Sequence, residues 1–232
     1  KSVENITQVA NAAAFPLDTA MGVATQLVGS GFSTQDAQGG ALAAVLDVLN
    51  ASSLRGIQDN PEEVVKAFSM YLTSQGMELN AENVRNVGQA VQQLSKPTNL
   101  NISQLSNLSE NAGQMAGLVP WEQQLATYGT LVNEMPAANA ATGFRNFVTR
   151  LAGAGQNKSR AKILKQLGVK PEEVDFVGED LFQVAERMHT AFQAVPEEKR
   201  IGLANELIGE QAMPVMNAIM ARRDAIRENM GL

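Results

Sequence analysis

Residue types that could support catalysis are scarce in this sequence of 232 residues. It holds one histidine, His189, and no cysteine, which excludes a cysteine nucleophile, a thiolate metal site and a disulfide. Nucleophilic catalysis needs a base beside the nucleophile, and no nucleophile or orienting acid stands at a recognisable spacing from His189. We therefore interpret His189 as a structural residue on a helix and predict no catalytic residue.

The acidic residues occur in adjacent pairs, at Glu62-Glu63, Glu172-Glu173, Glu179-Asp180 and Glu197-Glu198. Three of these four pairs follow a proline or a capping residue, where carboxylates stabilise the positive end of a helix. We interpret the pairs as helix starts and not as general acids or bases. Because the sequence also has no HExxH motif and no EF-hand series, it predicts no metal site and no cofactor.

Two sets of residues could instead contribute to an interaction surface. The basic cluster consists of Lys158, Arg160, Lys162 and Lys165. It is either a solvated helix face or a contact for an acidic partner. Four methionines, Met213, Met216, Met220 and Met230, crowd the last helix, and methionine packs adaptably in cores and at protein contacts. Core packing is the favoured interpretation of this set, and an interaction surface that includes Met216 and Met220 is the alternative.

The composition limits the classes of partner. The net charge of −6 and the pI of about 4.9 disfavour nucleic acid and anionic membranes, since phosphates attract Lys and Arg. No apolar run approaches the roughly 18 residues of a membrane span. No signal peptide opens the chain, and the first residue is Lys1 and not Met. We expect that the chain is a piece of a longer protein, and that this piece makes no contact with a membrane.

Breakers and caps divide the sequence into about twelve helices. Asn60-Pro61-Glu62-Glu63 is a strong start, with a cap, a first-turn proline and two acids. Another helix follows Pro16, with the apolar stripe Leu17, Met21, Ala24, Leu27 and Val28. Ser33 or Thr34 is expected to cap the next helix, whose stripe is Leu42, Val45, Leu46 and Leu49. No run alternates with period two, so the predicted fold is all-α.

The two halves of the sequence can be overlaid. A shift of 104 carries the stripe after Pro16 onto Trp121, Leu125, Tyr128, Leu131 and Val132, and carries Pro16 onto Pro120. A shift of 102 carries the next stripe onto Phe144, Phe147, Val148 and Leu151. This match indicates a duplicated unit of three helices, near Val3–Leu49 and near Leu105–Leu151. We predict two helical regions, 1–96 and 97–232, with one continuous domain as the alternative.

The stretch from about Leu100 to Ala221 resembles the conserved helical region of phage tail tape measure proteins. Three blocks carry the resemblance: Asn101–Leu105 through Ala116-Gly117, Ala140–Leu151 with its Arg150-Leu151 ending, and Ile163–Val169. The segment Glu206–Pro214 is similar to the family's Leu-Phe-Gly-x-x-Ala-x-Pro ending. The first half is covered only through the duplication.

The resemblance implies a structural role and no enzymatic one. A tape measure protein spans the lumen of the tail tube, and its length fixes the length of the tail. The implied partners are the tail tube protein and tail assembly chaperones, with self-association as a further expectation and no nucleic acid. The implied location is the virion tail, and the bacterial host cytoplasm during assembly. Two alternatives are a helical-repeat scaffold unrelated to phage and a non-catalytic region of a tail-associated cell-wall lytic protein.

Overall fold

The computed structural model describes residues 2–98, 100–176 and 180–231. Within these ranges the chain forms fourteen α-helices, two short 3₁₀ helices and no strand, which confirms the all-α prediction. The helices pack into two compact units, Lys1–Gly113 and Gln114–Leu232. The division falls after the seventh helix, later than the sequence-based boundary at 96/97, because that helix packs on the fifth.

The first unit contains seven helices. They are α1 (Ser2–Ala12), α2 (Leu17–Gly29), α3 (Thr34–Ala37), α4 (Gly40–Leu54), α5 (Pro61–Ser74), α6 (Ala81–Leu94) and α7 (Ile102–Ala112). Helix α4 is central and contacts α1, α2, α3, α5 and α6, while α5 packs on α7. The apolar residues of α4 and α5 form the middle of this core, with Leu42, Leu46, Phe68 and Tyr71 fully buried.

The second unit also contains seven α-helices. They are α8 (Trp121–Leu131), α9 (Ala137–Ala152), α10 (Lys158–Gln166), α11 (Leu181–Gln193), α12 (Glu197–Leu207), α13 (Ala212–Ala221) and α14 (Arg223–Asn229). The 3₁₀ helices are Ala154–Gln156 and Pro171–Glu173. Helix α13 lies against α8, α9, α11 and α12. At the contact with α9 there is no room for a side chain, because a Cβ on Gly143 would lie 2.7 Å from Cγ2 of Val215.

Helix α8 is enclosed by its neighbours. Every residue from 123 to 131 is buried, and α9, α13 and α14 pack around it. From α14, Ile226 is fully buried and the side-chain amide of Asn229 donates to Oγ1 of Thr130 at 3.4 Å. Thr127 is also fully buried, and its hydroxyl has no hydrogen-bond partner among the described residues. The core of the second unit therefore depends on α14.

The predicted helix starts are confirmed in part. Asn60 caps α5, accepting a hydrogen bond from the backbone N–H of Glu62 at 2.9 Å, as its sequence pattern indicated. The prediction that Ser33 or Thr34 caps the helix of Leu42 is wrong. Ser33 caps the four-residue α3, and the helix of Leu42 begins separately at Gly40.

The apolar stripe predicted for α2 does not coincide with its buried face. The buried residues are Ala20, Val23, Ala24 and Leu27. Three members of the predicted stripe are exposed, Leu17 by 37%, Met21 by 41% and Val28 by 46%. The apolar residues of α2 cover more of its circumference than its neighbours can bury, so the spacing alone could not select the packed side.

The predicted duplication is reproduced in one helix pair and not in the first helices. The pair α2–α4 is in contact, and so is the pair α8–α9 that the overlay makes equivalent. The first helices differ, because α1 packs on α2 and α4 whereas α7 packs on α5. The first helices of the two proposed copies therefore pack on different neighbours.

Candidate interaction surface

The basic cluster lies on α10, a helix of nine residues in the second unit. Asn157 caps it by accepting a hydrogen bond from the backbone N–H of Arg160 at 3.1 Å. Its buried side carries Ile163 and Leu164 and packs toward α12. Ser159 ties the two helices together, because its hydroxyl donates to the carboxylate of Glu206 on α12. The helix is thus held in place by one side only.

The four predicted residues do not form a single patch. Lys158, Lys162 and Lys165 follow the spacing i, i+4, i+7, so they share one helix face, and all three are exposed. We call them the lysine stripe. Arg160 lies on the opposite side of α10 and is half-buried. Three members of the cluster are therefore exposed on one helix face, and Arg160 is not part of that face.

Arg160 lies near Arg150, the last-turn arginine of α9. Burial, and secondly the positive charge of Arg150, lower the pKa of the Arg160 guanidinium. Arg150 in turn packs over Gly209, where an added Cβ would lie 3.3 Å from its Cζ and where the φ of +92° also favours glycine. This places the charge of Arg150 just beyond the end of α12, where helix carbonyls carry partial negative charge. Arg150 therefore connects the end of α9 with the end of α12, and Arg160 lies close to it on α10.

The surroundings of the stripe are basic as well. From residue 135 to residue 171 the sequence contains seven Lys and Arg and no Asp or Glu, whereas the whole chain is acidic. Sequence reasoning did not include Arg145, Arg150 and Lys170, and this acid-free stretch is the signal that could have found them. Helix α10 also has no acid in its first turn and begins with Lys158 instead, which the helix dipole disfavours. Lys158 is thus not placed for helix stability, whereas Lys165 in the last turn is on the side of the dipole that favours a cation.

The two candidate methionines differ in burial, and Met216 follows the core-packing interpretation. Met216 is only 1% exposed and packs in the core of the second unit, so it is not available to a partner in this fold. Met220 is half-buried on the same helix, α13. Nothing tests whether Met220 contacts another protein, so it stays a candidate. The buried face of α13 could not be identified from a sequence that is apolar nearly all around.

The remaining titratable residues show structural uses. An open cleft of about 730 Å³ in the first unit is lined in part by Asp36 and Asp47. The Asp36 carboxylate is engaged, since it accepts from the hydroxyl of Ser33 at 2.7 Å and from the backbone N–H of Ala81 at 3.3 Å. His189 is half-buried on α11. In the part of the chain that the structure describes, no three His, Cys, Asp or Glu side chains are grouped so as to hold a metal ion.

Across the same described ranges, no helix combines the length and the apolar character that crossing a membrane requires. The exposed surface of α10 is the best candidate for function, and it acts by charge, because its three lysines can contact carboxylates of another molecule.

A family model described as phage-related minor tail protein matches residues 4–209. The matched range extends over both units and includes the whole of α10. No curated protein and no solved structure gives a significant match to the chain.

Proposed function

Since this match covers most of its length, the chain belongs to the family of phage-related minor tail proteins, and we propose that it is part of a tape measure protein. In this role it lies in the lumen of the tail tube, contributes to the length of the tail and guides polymerisation of the tube around it. The observation that carries the proposal is the family match over residues 4–209, joined with the resemblance of Leu100–Ala221 to the conserved region of tape measure proteins.

The helical fold supports a ruler because helical length is proportional to residue number. A helix rises about 1.5 Å per residue, so the 206 matched residues would span about 310 Å as one straight helix. Among the described residues the chain instead forms short helices that belong to two compact units, and the longest of these helices, α9, has 16 residues. The contribution of this region to tail length therefore depends on whether it rearranges into a continuous helix inside the tube.

An in-frame deletion in the full-length gene tests the proposal. Removing residues 4–209 should shorten the tail, by about 310 Å if the region is a continuous helix in the tube and by far less if it stays folded. Tail lengths are measured by electron microscopy of purified particles. An in-frame duplication of the same residues serves where the deletion prevents assembly, and it should lengthen the tail. Complete tails of unchanged length in both variants would refute the role.

The lysine stripe supplies a contact for partners within this role. The tail tube protein and the assembly chaperones are the proposed partners, recognised through acidic surfaces that face Lys158, Lys162 and Lys165. Changing all three to glutamate should abolish copurification with the tube protein or the chaperones while the helical circular dichroism stays unchanged. The matched control changes three cations outside the acid-free stretch, Lys66, Lys96 and Lys199. Equal effects of both triple variants would contradict a role of the stripe.

A further inference from the structure

Arg150 and Arg160 bring two positive charges to the same end of α12. The guanidinium of Arg150 lies over Gly209, the second residue after that helix, and a Cβ on this glycine would lie 3.3 Å from Cζ and Nη1 and 3.6 Å from Nε. Arg160 directly follows Ser159, whose hydroxyl donates to the carboxylate of Glu206 in the last turn of α12. The two arginines come from α9 and α10, and the end of α12 brings them together.

The two charges act on each other without a counter-charge from the described residues. Burial, and secondly the positive charge of Arg150, lower the pKa of the Arg160 guanidinium. Among the residues that the structure describes, neither side chain forms an ion pair or a hydrogen bond. The other arginines of the second unit each have a partner, which is a carboxylate, an amide oxygen, a backbone carbonyl or an aromatic ring: Arg145, Arg187, Arg200, Arg222, Arg223 and Arg227. The pair differs from all of them.

The backbone around Gly209 does not neutralise the pair. The carbonyl end of α12 carries about half a negative charge, and the N–H end of α13, which begins at Ala212, carries about half a positive charge. None of the described side chains caps α13, and its first turn holds no acid. The carboxylate of Glu206 is already engaged by Ser159. An anion from another molecule would therefore remove the repulsion between the two arginines.

From this arrangement we infer that Arg150 and Arg160 bind one oxyanion between them, supplied by a phosphate group or by a carboxylate. A guanidinium donates two parallel N–H groups to an oxyanion of either kind, and two guanidiniums can share its oxygens. A phosphate group has a charge of about −2 and three free oxygens, so we expect it to bind more tightly than a carboxylate. The site lies on the side of α10 opposite the lysine stripe, so it is separate from the surface proposed for protein partners.

Unfolding by urea, followed by the fluorescence of Trp121 on α8, tests the site on the purified chain. Inorganic phosphate at about 10 mM is compared with NaCl of equal ionic strength. For a dissociation constant of about 1 mM, phosphate should raise the urea midpoint by about 0.5–1.4 M. Arg150→Gln and Arg160→Gln should each abolish this rise. Lys199→Gln is the matched control, because it removes one exposed charge from the same unit and should keep the full rise.

The same experiment with acetate identifies the source of the oxyanion. We expect acetate to give less than about a third of the rise that phosphate gives at the same concentration, which would identify a phosphate group. An equal rise would identify a carboxylate. In either case the rise must be absent from both arginine variants.

NaCl alone separates this site from an ion pair within the chain. Without a bound oxyanion, Arg160→Gln removes the repulsion from Arg150, so its urea midpoint in NaCl should be no lower than that of the natural chain. If the variant lost stability equally in NaCl and in phosphate, Arg160 would have a carboxylate partner in the chain, such as Glu206 or Glu210. That result would overturn the inference.

NMR gives a second measurement that does not depend on stability. In a phosphate titration the backbone amide signal of Gly209, which lies under the Arg150 guanidinium, should shift and saturate. Gly202, on α12 with open space around it, is the control and should not shift. Equal shifts of the two glycines, or an equal rise of the urea midpoint in the arginine variants and the natural chain, would show only a general salt effect and overturn the inference. The purified chain is used throughout, so failure here leaves the tape measure proposal untouched.

Discussion

Replacing Gly143 by alanine should destabilise the second unit, although the same replacement at an exposed helix position usually stabilises a protein. A Cβ at this position would press on the backbone oxygen of Gln211 and lie 2.7 Å from Cγ2 of Val215. Both atoms belong to the start of α13, so the helix must shift by about 1 Å. Overpacking of this kind costs about 1–3 kcal/mol, and the higher helix propensity of alanine returns about 1 kcal/mol. The expected net loss is up to about 2 kcal/mol.

The matched control is Gly202→Ala on α12 of the same unit. A Cβ there meets nothing within 4 Å, so only the propensity gain remains, about 0.5–1 kcal/mol of added stability. Both variants are unfolded with urea and followed by the fluorescence of Trp121. This residue is the single tryptophan of the chain and opens α8, so it reports on the second unit.

The two midpoints should move in opposite directions. With a slope of about 1–3 kcal/mol per molar urea, a loss of about 1.5 kcal/mol lowers the midpoint by about 0.5–1.5 M. If Gly143→Ala raised the midpoint as much as Gly202→Ala does, the backbones of α9 and α13 would not approach as closely as described.

Three further predictions concern the same unit and the same fluorescence assay. Burial raises the pKa of Tyr128 above its usual value near 10, so the tyrosine of the unfolded chain ionises first and the free energy of unfolding should fall as the pH rises above about 10. Tyr128→Phe should remove up to about 1.4 kcal/mol of this fall per pH unit. An identical pH profile in the variant and the natural chain would contradict the prediction. Thr127→Val removes a buried hydroxyl without a described partner and should stabilise by about 1 kcal/mol, whereas a loss would indicate a hydrogen bond to an ordered water. Ile226→Ala should lower the free energy of unfolding by about 2–4 kcal/mol, because Ile226 of α14 is fully buried in the core around α8. Arg222→Ala, which breaks an exposed ion pair with Glu134, should lower it by less than about 1 kcal/mol. Similar losses in both variants would mean that α14 does not cover the core.

The positions of helices could be predicted from this sequence because their starts are encoded locally. Pro120, Pro136 and Pro196 each directly precede a helix, as the sequence pattern indicated. Caps and first-turn prolines act on the nearest backbone groups, so their effect needs no knowledge of the rest of the fold.

Which face of each helix is buried could be predicted less well. Helices α2 and α13 are apolar over most of their circumference, so the apolar pattern alone separates neither the exposed Met21 nor the buried Met216 from its neighbours. The spacing of Lys158, Lys162 and Lys165 was readable from the sequence, and it separates Arg160 from them. The proximity of Arg150 and Arg160 was not readable, because it depends on how α9 and α10 pack across an intervening loop.

The closure of α8 by α14 also sets an order of events during synthesis. The hydrogen bond from Asn229 to Thr130 joins residues 99 positions apart. At about 5–20 residues per second, the ribosome needs roughly 5–20 s to add α14 after α8. During this interval all residues of the first unit have already been made, while α8 still lacks its contact with α14. The first unit should therefore fold on the ribosome, and the second unit only after α14 has emerged. Before that point a chaperone can bind the apolar residues that the second unit later buries.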